Sequence, residues 1–80
     1  MPNPLHDPRY AVLRSLLVEE RERNALTQVE IAARLGKPQS YVSKYERGER
    51  RLDMVECLDV ARAIGIDPVT TLQKLIRKIG

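Results

Sequence analysis

Gly36 separates two short segments that each carry apolar residues at helical spacing, which confines this stretch to a helix, a tight turn and a second helix. Before the glycine, Gln28 to Leu35 places Ile31, Ala32 and Leu35 on one stripe of a 3.6-residue period. At Gly36 a sharp turn can take a positive φ that other residues resist. After it, Pro38 suits the first position of a new helix, where its missing N–H would have no partner anyway, and Lys37 then occupies the cap. In that second helix, 38–47, Val42 and Tyr45 point one way, while Gln39, Ser40, Ser43, Lys44 and Arg47 point the other. An apolar inner face under amides, hydroxyls and cations matches what base edges and phosphates require.

Start and stop signals extend the same pattern along the chain. Asp7-Pro8 reads as an N-cap followed by proline at the first helical position, opening a helix to about Asn24 with Leu13, Leu16 and Leu17 inside. The charged run at 19–23 should be mostly exposed. Thr27 with Glu30 spells a capping box, as does Asp53 with Glu56, where Leu52 and Cys57 could form a staple. The helix after Asp53 carries Val55, Leu58, Ala61, Arg62 and Ile64, and Gly65 ends it. Asp67-Pro68 repeats the start signal of Asp7-Pro8. The last helix presents Val69, Leu72, Ile76 and Ile79 at spacings of three, four and three. Five helices without a strand candidate predict an all-α bundle. Residues 1–7, proline-rich at positions 2 and 4, form a flexible arm, and 8–80 form one domain.

Charge is spread unevenly. The net formal charge is +3, yet residues 1–33 carry −1, residues 34–51 carry +4 and residues 52–80 are neutral. The excess therefore sits on the helix after Gly36 and the loop behind it, where a phosphate-facing surface would lie. The competing reading is a solvated charged face. Arg50 and Arg51 could instead pair with Glu46, Glu49 or Asp53 as weak surface bridges.

The remaining composition closes off other classes. One histidine in the arm, one cysteine and no convincing carboxylate pair leave no catalytic constellation and no metal or cofactor site. The four glycines build no phosphate loop, and no small-molecule ligand is evident. Cys57 reads as a small buried thiol rather than a redox sensor. No apolar run reaches membrane-spanning length, so no membrane partner is expected and a cytoplasmic, nucleoid-associated location is.

The run from Leu26 to Glu46, with Gly48 and the segment Cys57 to Pro68, resembles the Cro and phage-repressor (XRE) type of helix-turn-helix protein. Gln28, Ala32, Gly36 and Val42 stand in the register of that motif, and Tyr45 to Gly48 supply its Tyr-Glu-x-Gly exit. The resemblance implies a compact five-helix bundle of the lambda-repressor-like type and a sequence-specific regulator of transcription. It implies base contacts from Gln39, Ser40, Ser43 and Lys44. Phosphate contacts would come from Gln28, and Lys37, Tyr41, Arg47, Arg50 and Arg51 are further candidates. Glu46 is expected to be structural, bonded to backbone or to an arginine. The partner would be double-stranded DNA with a near-palindromic operator, bound by a homodimer with Val69, Leu72, Ile76 and Ile79 as the candidate contact. Closure of the monomer core competes for that last stripe. An antitoxin or restriction-modification controller of the same fold, and a protein-interaction module that has lost DNA binding, are the alternatives.

Overall fold

The computed structural model describes residues 7–80 and contains five helices in sequence order: α1 (Pro8–Arg23), α2 (Gln28–Leu35), α3 (Gln39–Arg47), α4 (Met54–Ile64) and α5 (Pro68–Ile79). No strand occurs among the described residues, and the all-α five-helix expectation is borne out. Most of the expected arm, including His6, lies outside the described residues. Asp7, the last residue assigned to it, caps α1 by accepting from the Arg9 N–H at 2.9 Å.

The helix boundaries follow the local chemistry. In α2 the Thr27 hydroxyl accepts from the Glu30 N–H at 3.1 Å while the Glu30 carboxylate accepts from the Thr27 N–H at 3.0 Å. The bond from the Thr27 N–H, with the hydroxyl behind it, holds the Glu30 carboxyl below its ordinary range. Asp53 and Glu56 repeat this reciprocal pair at 2.7 and 2.9 Å, and Asp67 opens α5 through the Val69 N–H at 3.0 Å. Gly36 takes φ +67°, and the Lys37 N–H returns to the Ala32 carbonyl at 3.0 Å, which closes α2 and turns the chain into α3.

Between the helices, Leu17, Ile31, Val42, Tyr45, Val60 and Ile64 make the centre of the core, with Leu52 packed at its edge. α1 packs against α3, α4 and α5, α2 packs on α3 and α4, and α4 also packs on α5. Tyr45 and Val42 are sealed, so α3 is fixed by its inner face, and Gln39, Ser40, Lys44 and Arg47 stay exposed on its outer side. No helix among the described residues is long and apolar enough to cross a membrane.

Three expectations need correction. α3 begins one residue later than expected: Pro38 has ψ 156°, an extended cap conformation, and Gln39 is the first helical residue. Proline satisfies the φ of a cap as readily as that of a first helical residue, so sequence did not separate the two. On α4, Val55 is 65% exposed and the buried residues are Val60, Ala61, Ala63 and Ile64. The inner stripe is thus rotated away from Val55. Glu20, within the run expected to be exposed, is buried and accepts from Arg23 at 2.8 Å and from Lys74 of α5 at 3.0 Å. Burial of that carboxylate is tolerable because two cations meet it.

Candidate nucleic-acid interface

The outer surface of α3 begins at an uncapped helix end. Pro38 offers no side-chain acceptor, so no side chain takes up the first α3 N–H groups. Gln39, Ser40, Lys44 and Arg47 are exposed on this helix, as the sequence indicated, whereas Ser43 is half-buried at the margin of the face. The opposite side holds Val42 and Tyr45 at 0% and 1% exposure. Burial pushes the Tyr45 hydroxyl above its ordinary range, so the ring stays neutral inside the core.

Gln28, the first residue of α2, stands beside this surface. Its Nε2 donates to Glu46 Oε1 at 2.9 Å, and its Oε1 accepts from Gln39 Nε2 at a longer 3.4 Å. Glu46 also accepts twice from Arg21, at 2.7 Å from Nε and 3.1 Å from Nη2. Its structural assignment holds, with Arg21 as partner. The hydrogen bond to Glu46 in turn raises the Arg21 guanidinium further above its ordinary range. The involvement of Gln28 with Glu46 was not visible in sequence, because the two are 18 residues apart and only the α2–α3 turn brings them together.

The cations divide into two groups. Lys37 and Lys44 make no ion pair with a carboxylate among the described residues. Lys37 precedes the cap rather than forming it, and its ammonium lies 5.6 Å from the centre of the Tyr41 ring. One residue outside the cap, its charge meets less repulsion from the positive end of the α3 dipole than it would at the cap itself. Arg47, Arg50 and Arg51 are engaged. Arg47 reaches Glu49 at 2.7 Å, and Arg50 reaches Glu56 at 2.7 Å while lying over the Tyr41 ring at 4.7 Å. Arg51 donates to the Tyr10 hydroxyl at 3.1 Å rather than to an acid.

Tyr41 is half-buried, its hydroxyl directed to Glu56 Oε2 at 3.3 Å. Arg50 holds the Glu56 carboxyl down at about 2, chiefly by the hydrogen bond, with the Asp53 N–H adding to it. Tyr41, Arg50 and Glu56 thus brace the loop after α3 against α4. At Gly48, which ends α3 with φ +81°, an added Cβ would lie 2.8 Å from the Arg14 guanidinium. Arg14 therefore packs directly over the exit of α3, a placement that sequence gave no reason to expect.

On α5 the four residues named for a contact, Val69, Leu72, Ile76 and Ile79, are 60%, 44%, 55% and 42% exposed. No residue of this helix is buried. Leu72 also lines an apolar groove of about 210 Å³ between α1, α4 and α5, with Leu13, Leu52, Cys57 and Leu75. Cys57 is half-buried there, and burial raises its thiol, which disfavours the reactive thiolate. No group of His, Cys, Asp and Glu suited to a metal occurs among the described residues.

Comparison with known proteins adds independent findings. Residues 17–70 match the family model described as helix-turn-helix. A solved XRE-family like protein from Pseudomonas syringae pv. tomato str. DC3000 is 51% identical, with a TM-score of 0.88 over 94% of this chain and 92% of that one. The restriction-modification controller protein C.Esp1396I, solved as a tetramer in complex with its natural 35 base-pair operator, gives a TM-score of 0.84 at 19% identity. That match covers 92% of this chain and 97% of the controller, and at such identity the likeness is one of fold. Two uncharacterized HTH-type transcriptional regulators of Sinorhizobium fredii, y4dL and y4dJ, are 37% and 39% identical over 74% and 61% of this chain. The chain spans 30% of the length of the first and 64% of the second.

Proposed function

The chain belongs to the XRE-type helix-turn-helix family, and from that premise we propose that it is a sequence-specific regulator of transcription that binds double-stranded DNA. One observation carries this reading: α3 seals Val42 and Tyr45 beneath it and leaves Gln39, Ser40 and Lys44 exposed on its other face. α3 lies in the major groove, where glutamine suits adenine and lysine suits guanine. Ser43 reads from the margin of the same face. The N-terminus of α2, with Gln28, grips a phosphate through amide, backbone N–H and helix dipole together. Lys37, free of acidic partners among the described residues, contributes a second phosphate contact. Arg47, Arg50 and Arg51 contribute further phosphate contacts once they exchange their present partners for DNA, and Tyr41 supports Arg50 from beneath.

Two copies bind as a symmetric dimer, with recognition helices about 34–36 Å apart on a near-palindromic operator. Val69, Leu72, Ile76 and Ile79 form the contact, since this stripe is left outside the monomer core. The protein acts as a repressor or autoregulator in the cytoplasm, at the nucleoid, and does no catalysis.

Gel-shift titration with DNA from random-site selection, at two salt concentrations, tests this function. The expected result is a selected sequence bound more tightly than random duplex, with affinity falling as salt rises. Binding without sequence preference or salt dependence contradicts it.

A further inference from the structure

Arg21, Glu46, Gln28 and Gln39 form a line of donors and acceptors running from the interior to the outer face of α3. At its inner end, the Arg21 and Glu46 side chains are only 14% and 7% exposed. Arg21 is also held by the Leu26 carbonyl, to which Nη1 donates at 2.8 Å. Glu46 and Gln39 are seven residues apart, close to two turns, so they stand on one flank of α3 with the Gln28 amide in reach of both.

The two ends of an amide side chain differ, and an unrestrained glutamine can present either. A carboxylate in an ion pair only accepts. Glu46 therefore takes the NH₂ end of Gln28 and turns its carbonyl oxygen toward Gln39. That oxygen also only accepts, so it takes the NH₂ end of Gln39. Left over on Gln39 are one N–H and the carbonyl oxygen, in an order set from inside the protein. Adenine offers the matching acceptor N7 and donor N6–H₂, whereas guanine offers two acceptors and cytosine a lone donor.

Resting on the DNA-reading function above, we propose that Glu46 is a positioning residue for base selection. Acting through Gln28, it fixes the orientation of the Gln39 amide and narrows the base accepted there to adenine. Glu46 itself touches no DNA.

The experiment is random-site selection with three proteins. The wild-type chain gives the preferred site, Gln39→Ala identifies the base pair that Gln39 reads, and Glu46→Gln offers Gln28 either end of an amide at nearly unchanged size. The wild-type chain is expected to favour adenine at the identified position by about fivefold or more. In Glu46→Gln that ratio should fall to about twofold or less while preferences elsewhere in the site persist. An unchanged adenine preference, or an equal loss at every position, overturns the proposal; the second outcome marks a residue that only holds the fold. A wild-type chain that selects no sequence overturns the functional reading itself, and the positioning role falls with it.

Should Glu46→Gln fail to fold, the free wild-type chain supplies a second readout. The side-chain NH₂ of Gln28 is expected to exchange with water about tenfold more slowly than that of the exposed Gln73. Equal exchange rates overturn the proposal without reference to DNA.

Discussion

α3 and α5 are both amphipathic, yet the fold uses them in opposite ways. α3 buries its apolar side completely, with Val42 and Tyr45 in the core, and turns amides, hydroxyls and cations outward. α5 buries no residue, and Val69, Leu72, Ile76 and Ile79 remain in solvent. Periodicity announces a face in each case. Whether that face is consumed inside the monomer depends on what the rest of the chain places against it. The polar surface left on α3 suits a polar duplex, and the apolar surface left on α5 suits an apolar partner.

Core substitutions should separate the two helices most sharply. Tyr45→Ala removes a ring that is 1% exposed and should cost about 3–5 kcal/mol in urea denaturation. Val69→Ala, at a site 60% exposed, should cost less than about 0.5 kcal/mol at concentrations where the chain is monomeric. Similar losses at both positions would erase the contrast.

The next effect concerns the outer face of α5. Replacing Leu72 and Ile76 together by Glu should weaken self-association about a hundredfold or more, read by sedimentation equilibrium, since hot-spot residues each carry about 2 kcal/mol. Circular dichroism should show the fold retained. An unaltered dimer would place the contact on another surface.

On α3, Lys44→Ala should reduce discrimination at one base position by about 1–3 kcal/mol and leave other positions intact. Lys37→Ala should weaken all sites about equally and lower the salt slope by about one. Uniform loss in both variants would remove Lys44 from base reading.

The smallest effect is electrostatic. Arg50 holds Glu56 at about 2, below the ordinary carboxyl value of 4.5, so this pair stabilises the fold fully above the ordinary value and loses that contribution as pH falls toward 2. Because the pair is partly exposed, at 39% and 25%, solvent screening limits it to less than about 1 kcal/mol. The gap in urea midpoint between wild type and Glu56→Gln should narrow between pH 5 and pH 2.5. A constant gap would mean that the carboxylate charge contributes nothing.

Sequence carried most of the architecture because its signals are local. Asp7, Thr27, Asp53 and Asp67 each bond within three residues of themselves, and Gly36, Gly48 and Gly65 each end a helix in the left-handed region. The outward set on α3 was legible because Val42 and Tyr45 fix the phase of a short helix. What escaped depends on distant partners. Glu20 is buried because Lys74, 54 residues later, meets it. Gln28 is oriented by a carboxylate on another helix, and Arg50 is occupied by Glu56 rather than left free. On α4, Ala61 and Ile64 of the expected stripe are buried, but Val55 is left exposed while packing adds Val60 and Ala63 to the inner face.

Titrating the ¹⁵N-labelled chain with its selected duplex and following every amide compares the two helices in one experiment. Reading by α3 gives the largest shifts at Gln28, Gln39, Ser40, Ser43 and Lys44, with Val69, Leu72, Ile76 and Ile79 unmoved once the dimer has formed. Shifts concentrated on α5, or absent from Gln39 and Lys44, would contradict it.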